Sequence, residues 1–403
     1  MTAIQVAPGP SLEVDVPTYL RPPGVPPNHT TETNELESSY APPPGPPPGA
    51  PKLVEFPFLS SDQAQVLYSQ GYTRVNLPPD HAIYKAASAL FSTSRAFFDR
   101  PSEEKQQFHR SNLPSYSPID GSNRKGKNSE QGWSRVEGEK EMLTIRTSQS
   151  CPPEVTDNAR HLWQECGDFM QAMVHAIEAS LGLNSGAFYD VVGEECLLPV
   201  NEIHETLLRM FRYERASDPR IVSEKHRDIG IVSLVIGSSP GLEVWDDTIT
   251  RKDPLTGIVR KGSWVPIEED SDETKQAGGL TFTFLVGETL TALSNDLYKP
   301  GIHRVSVPPA DPSSSTNDAK YRYSIVFTLR PYRQGTVYTP SLTTAVTGPF
   351  KWPPMDKNGL VPTVKAVDLF SVISNRRWSV NDSAEEREAK KLKLKKAKEL
   401  MIQ

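Results

Sequence analysis

Cysteine is scarce. Three in 403 residues, Cys151, Cys166 and Cys196, are too few and too scattered for a disulfide framework, and no C-x-x-C pair suggests a zinc knuckle. They read as reduced thiols. No apolar run approaches the length that spans a bilayer, and the first residues, MTAIQVAPGPSLEVDVP, lack the basic region and apolar block of a secretory signal. The expectation is an intracellular, cytoplasmic protein with no membrane partner. Basic residues are also in deficit: 44 Lys and Arg stand against 50 Asp and Glu, a net charge of -6. That balance excludes a general polyanion-binding surface, and nucleic acid is not expected as a partner.

What is plentiful is proline, 37 residues, crowded near the start in RPPGVPP and APPPGPPPGAP. Such a segment cannot fill a hydrogen-bond ladder, so residues 1–51 read as an extended, disordered tail, a solvated spacer with an SH3 or WW partner as the competing expectation. Beyond it, Ile83, Ala86, Leu90, Ser94 and Phe97 recur at helical spacing up to a break at Pro101. A second stripe, Leu162, Cys166, Phe169, Met170, Met173 and Ile177, predicts a helix over about 155–181, its apolar face turned to a core.

After Asn201 the period changes to two, in LLRMFRYER, IGIVSLVIG, GLTFTFLVG and YRYSIVFTLRP, with Gly, Pro and Asp turns between. Short strands with few helices between them favour a sandwich, jelly roll or barrel over a parallel doubly wound sheet. The chain therefore divides into the tail 1–51, a helical leader 52–200 packing on a barrel, a β core 201–335, a C-terminal extension 336–382 and a basic helix 383–403. That last helix opens with a Ser383-x-x-Glu386 capping box, and its basic run makes a nuclear address the alternative to a cytoplasmic one.

Chemistry gathers in SEKHRDIGIVSLVIG. His226 and Asp228 stand two apart at the mouth of what reads as one strand, so both side chains would share a face. His303, in LYKPGIHRVSV, would return from a distant strand as a third ligand. Two imidazoles and a carboxylate on one side of a metal are a donor set that suits non-haem iron and leaves positions open. An isolated H-x-D is also an ordinary surface pair. In YRYSIVFTLRP, Arg322 and Ser324 share a face that is otherwise apolar or small. A buried Arg needs an anion, and a guanidinium beside a hydroxyl forks well onto a carboxylate. The competing expectation is an internal bridge to an Asp or Glu.

The order HRD, GLEVW, LSNDLYKPGIHRVSV and RYSIVF resembles the 2-oxoglutarate- and iron(II)-dependent dioxygenases, in the branch that includes isopenicillin N synthase and plant flavonoid and hormone oxygenases. SQGYTRVNLP and FFDRPSEEKQQF resemble that branch's helical leader, so the similarity runs over roughly 52–335. The resemblance implies a double-stranded β-helix, a jelly roll, with iron(II) on His226, Asp228 and His303. It implies that Arg322 and Ser324 clamp the distal carboxylate of 2-oxoglutarate and that Tyr213, in MFRYER, also reaches this cosubstrate. Dioxygen and a small organic molecule would be co-reactants, hydroxylation the default outcome, and ascorbate a candidate reductant.

This sequence departs from the branch at three places. Phe211 stands where many plant members have Asn, and long inserts occupy 246–277 and 306–320, the first expected as a hairpin with a DPLTG turn, the second as a loop. Arg212, Arg227, His204 and the inserts are candidates to border the mouth of the site. Competing readings are a cosubstrate-independent oxidase like isopenicillin N synthase, a catalytically silent jelly-roll binding module, and a zinc hydrolase on the same three ligands.

Overall fold

Helices begin where a side chain can satisfy their open amide groups. Ser60 accepts from Gln63 N and donates its own N–H to the Gln63 side chain, a reciprocal cap that starts α1 (Ser61–Gln70). Gly71 stops it at φ 77°, against Lys299 O, where any Cβ would collide. His81 caps α2 (Ala82–Phe98) through Nδ1, which accepts from Ile83 N; α3 (Ser102–Lys105) is a single turn, and α4 (Pro153–Ser180) starts on a proline whose missing N–H costs nothing there.

The computed structural model describes residues 54–116, 123–125, 130–188, 191, 197–200, 203, 205–252, 259–268, 279–310, 313, 316–332, 335–350, 363–366, 368–369, 373, 385–386, 388–389 and 392. The chain divides into two units, Met1–Pro44 and Gly45–Gln403. The first, and with it nearly all of the Pro-rich segment, lies outside the described residues, as do the DPLTG turn, the acidic run after 268, Cys196, His204 and Ser383. Cys151 and Cys166 are buried and unpaired, as reduced thiols should be. Among the described residues no helix is long and apolar enough to cross a membrane.

The strands are β1 (Tyr72–Leu77), a short hairpin of β2 (Pro114–Tyr116) and β3 (Asn123–Lys125), β4 (Gly132–Val136), β5 (Lys140–Ile145), β6 (Leu207–Glu214) and β7 (Arg220–His226). They continue with β8 (Val232–Gly237), β9 (Leu242–Lys252), β10 (Val259–Pro266), β11 (Leu280–Val286), β12 (His303–Val307) and β13 (Tyr321–Leu329), with α5 (Glu288–Leu293) and α6 (Asn317–Lys320) between the later ones. β14 (Thr336–Tyr338) and β15 (Thr363–Lys365) pair with each other. Seven strands form one antiparallel sheet in the order β1-β11-β8-β13-β6-β5-β4, and four form a second, β10-β9-β12-β7. From β6 onward the chain alternates between the two sheets, with β9 and β10 entering the second as a hairpin. That is the jelly roll.

Period two decides what each face does. On β13, Tyr323, Ile325 and Phe327 turn outward to α2 and α4, where Trp163 meets Phe327 edge-on at 5.2 Å. Each such fully buried side chain contributes about 1.5–3 kcal/mol. Arg322, Ser324, Val326 and Thr328 turn inward, into the space between the sheets. The helical stripes fall where the periodicity puts them, with Leu162, Cys166, Met170, Met173 and Ile177 all buried.

Two differences from the sequence expectations have local causes. The stretch 52–200 supplies helices but also β1, β4 and β5 to the large sheet, strands of five or six residues whose alternation is too brief to stand out. His226 and Asp228 do not share a strand: β7 ends at His226, and the chain then crosses from the small sheet to the large one before β8. The crossing is made at Gly230, where a Cβ would sit 2.6 Å from Leu329 O, and a Cβ at Gly287 would meet the Gly230 carbonyl oxygen at 2.0 Å.

Candidate metal centre

His303 opens β12, and His226 closes β7, and the antiparallel register sets these two directly opposite each other. Their ring centroids lie 4.1 Å apart. Each ring is oriented by its own backbone: His226 Nδ1 is 2.7 Å from Glu224 O, and His303 Nδ1 is 3.1 Å from Gly301 O. A carbonyl can only accept, so Nδ1 carries the proton in both and Nε2 presents its lone pair. The Asp228 carboxylate closes the group, its Oδ1 3.8 Å from each Nε2. One ligand atom from each of the three residues lies within 4.8 Å of the others.

The loop that carries Asp228 is held by the start of α5. Glu288 N donates to Asp228 O at 2.8 Å, and Thr289 gives N–H to Gly230 O and its hydroxyl to Ile229 O. Burial would raise the Asp228 pKa, but the imidazoles of His303 and His226 outweigh it and hold the carboxyl below its usual range. Asp228 Oδ2 is buried with no hydrogen-bond partner among the described residues. Burial, with His303 beside it, lowers His226 to about 4, against the pull of Asp228. Two imidazole Nε2 atoms and one carboxylate face a common point, a donor set that suits a divalent transition metal.

They line a cavity of about 210 Å³ between the sheets. Tyr213, Arg322 and Ser324 line it too, Arg322 directly opposite Tyr213 across the β13–β6 pair. Arg322 is wholly buried. Its Nη2 donates to both oxygens of Glu268, at 2.9 and 2.8 Å, and its Nε to Ser239 O, while Nη1 has no partner among the described residues. The internal bridge weighed against a ligand clamp is therefore present, and half the guanidinium fork is left over. Burial pushes the Tyr213 phenol up to about 12, against the nearby Arg322, so it remains a hydrogen-bond donor. Phe211 stacks on Tyr213 at 5.1 Å and places an apolar face in the same wall.

Of the mouth candidates, Arg227 lines the cavity and reaches Glu288 at 3.5 Å. Arg212 points to the opposite face, pairing with Asp99 and Glu141. His204 lies outside the described residues. Sequence reasoning missed Lys140, Arg209, Arg330, Glu130 and Glu268. For Arg209 the signal was there: in LLRMFRYER it shares alternation with Phe211 and Tyr213, and all three line the cavity.

No protein-family model matches the chain, and no curated protein matches it. Solved structures do. A full-length Neurospora crassa protein, in complex with alpha-KG and thymine, is 16% identical with a TM-score of 0.51 over 78% of this chain and 89% of its own. A 2OG-Fe(II) oxygenase family protein from Caulobacter crescentus is 18% identical, TM-score 0.52, over 78% and 93%. JOX2, in complex with 2OG, Fe and JA, is 17% identical, TM-score 0.51, over 88% and 95%. At such identities the likeness is one of fold.

Proposed function

We propose that the chain is a non-haem iron(II) oxygenase that oxidises a small organic molecule with dioxygen and 2-oxoglutarate. The observation that carries this reading is the convergence of His226 Nε2, His303 Nε2 and the Asp228 carboxylate in one cavity wall, each imidazole fixed in the ligating tautomer by a backbone carbonyl. The residues fit the group: the donors are neutral N, neutral N and carboxylate O, and Asp228 Oδ2 is buried without a partner among the described residues. The fold shared with the Neurospora crassa protein, bound to alpha-KG, and with JOX2, bound to 2OG and Fe, supports the same reading. Iron(II) held there would supply dioxygen chemistry, with oxidative decarboxylation of 2-oxoglutarate to succinate and carbon dioxide providing two of the electrons.

The protein's own part is binding and orientation. Arg322 Nη1 is a buried donor without an acceptor among the described residues, and the Tyr213 and Ser324 hydroxyls stand in the same wall, so a carboxylate oxygen placed there would be met by three donors. Phe211, Leu242, Val305 and Val326 exclude water around them. Hydroxylation is the default outcome. The matched structures hold thymine, 5-formyluracil or JA beside the cosubstrate, so the fold does not choose the substrate.

Glu268 favours a second reading. By neutralising Arg322 it removes the charge that would attract the distal carboxylate of 2-oxoglutarate, as a cosubstrate-independent oxidase like isopenicillin N synthase would tolerate. Anaerobic titration with iron(II) and then 2-oxoglutarate separates the two. A weak visible charge-transfer band in the wild type, absent in His226→Ala, is expected. Iron binding without that band, and turnover without succinate, would establish the oxidase; no iron binding would sink both.

A further inference from the structure

The cavity holds a second buried guanidinium whose donors the described residues do not all fill. Arg209, on β6, is 8% exposed, and its Nε donates to Thr144 Oγ1 at 2.7 Å, which fixes the guanidinium against the cavity wall. Its Nη2 is buried and has no hydrogen-bond partner among the described residues. Two acids bear on it electrostatically, Glu130 and Asp228, and Glu130 Oε2 accepts from Arg330 Nη1 at 2.5 Å. No carboxylate among the described residues is hydrogen-bonded to Arg209 Nη2, so the donor stands open to the cavity side of the wall. Burial lowers Arg209 only to about 10, with Glu130 opposing the shift, so the charge is present at neutral pH.

An orphaned buried donor on a charged side chain is costly, and a protein retains one where something outside the chain completes it. Its place says what that is. Along β13 the inward positions run Arg322, Ser324, Val326 and Thr328, with Arg330 just past its end, and Arg209 stands directly opposite Val326. Four residues of strand, about 13 Å at the usual rise, separate that position from Arg322. The Asp228 carboxylate acts electrostatically on both Arg209 and Arg330. Arg209 therefore borders the metal ligands from the end of the cavity away from Arg322. Around it the wall is apolar, with Leu207, Phe211, Ile229, Val235 and Val326.

We propose that Arg209, oriented by Thr144 and flanked by the Arg330–Glu130 pair, seats the carboxylate of the substrate, and that the substrate is a small carboxylic acid with an apolar body. The inference rests on the oxygenase reading only in calling this ligand the substrate. A phosphate monoester would bring almost two negative charges to a site where Glu130 and Asp228 already bear on Arg209, and is disfavoured.

Calorimetric titration of the full metal-free chain tests it. The probes are acetate, benzoate, phenylacetate and 3-phenylpropionate, each against its neutral amide, with phenyl phosphate as the dianion. At least one aryl acid is expected to bind tenfold or more tightly than its amide. Arg209→Gln should erase that preference, Arg209→Lys restore part of it, and 2-oxoglutarate binding to the iron-loaded chain should be unchanged in Arg209→Gln. Because the orphaned cation is removed, Arg209→Gln should melt no lower than wild type. No preference for any acid in the wild type, a preference that survives Arg209→Gln, tighter binding of phenyl phosphate, or a melting temperature lowered by more than about 2 °C would each overturn the proposal. If the preference follows Arg209 while 2-oxoglutarate never binds, the carboxylate seat stands and the 2-oxoglutarate reading falls.

Discussion

Glu268 lies against Arg322 with both carboxylate oxygens on a single nitrogen, Nη2, at 2.9 and 2.8 Å, and with Oε2 also accepting from Leu242 N at 2.7 Å. The pair is buried, Arg322 at 1% and Glu268 at 7% side-chain exposure. Its Coulombic attraction is therefore little screened, and the guanidinium's charge is largely spent before any ligand arrives.

Replacing that carboxylate by an amide keeps the shape and removes the charge. Glu268→Gln is expected to tighten 2-oxoglutarate binding about tenfold, a change of about 1.4 kcal/mol. The charge-transfer titration reads it directly; unchanged or weaker binding would show that Glu268 positions Arg322 rather than competing for it.

Gly241 gives a complementary test from the opposite side. A Cβ there would stand 2.5 Å from Arg322 Nε and 2.8 Å from its Cδ, and 2.9 Å from Ser306 O, so Gly241→Ala must displace the arginine. Affinity for 2-oxoglutarate should fall at least tenfold while iron binding by His226, Asp228 and His303 is retained. Equal loss of both would mean the whole sheet had shifted.

His226 makes the metal-free chain sensitive to acid. Burial and His303 lower His226 from 6.5 to about 4, so between those pH values the unfolded chain binds a proton that the folded chain refuses. The stability from this group is full above about pH 6.5 and is lost as pH falls toward 4. Asp228 is held below its usual carboxylate range, so it stays ionised across that window. Melting temperature should drop over the interval in wild type and drop less in His226→Phe. Parallel curves would assign the acid sensitivity elsewhere.

Behind the large sheet, Lys105 is buried and donates to Glu141 at 2.8 Å and to Phe98 O, and Trp133 Nε1 donates to the same carboxylate oxygen. Arg212 takes the other oxygen at 2.9 Å. Burial would raise Glu141, but Lys105 and Arg212 hold it below the usual range. Lys105→Met leaves the carboxylate half-answered in the interior and is expected to cost about 3 kcal/mol, read by denaturant unfolding. This bears on the cavity because β5 presents Glu141 on one face and Lys140 on the other.

How much of this was legible in the sequence depends on the kind of signal. The β class and both long helices follow from periodicity, the jelly roll from the resemblance that singled it out among sandwich and barrel, and all hold in the structure. The grouping of His226, Asp228 and His303 followed from ligand types and a resemblance, yet the path between them did not. A continuous apolar run after HRD reads as one strand, because nothing local says that Gly230 crosses from one sheet to the other. Glu268 stayed invisible for another reason: it is distant from Arg322 in sequence, at the end of a hairpin strand, and one acid among 50 in the chain carries no mark of its partner. Arg209 could have been found, since strand alternation placed it beside Phe211 and Tyr213 on an inward face.

The register that sets His226 opposite His303 has a consequence for the chain as a polymer. An ion gripped by both residues would close everything from 226 to 303 into a loop, so that β7 and β12 could not part at that end without first dropping the ion. Loop closure removes freedom from the unfolded chain, and a ligand that binds only the folded form adds its binding free energy to stability. The clasp lies within the smaller sheet, where β7 and β12 are neighbours, while the segment it closes carries strands of both sheets, β8 and β11 belonging to the larger. Loading with metal would thus pin the β7–β12 pair at the edge of the smaller sheet, and stripping it would leave that pair held by its backbone ladder alone.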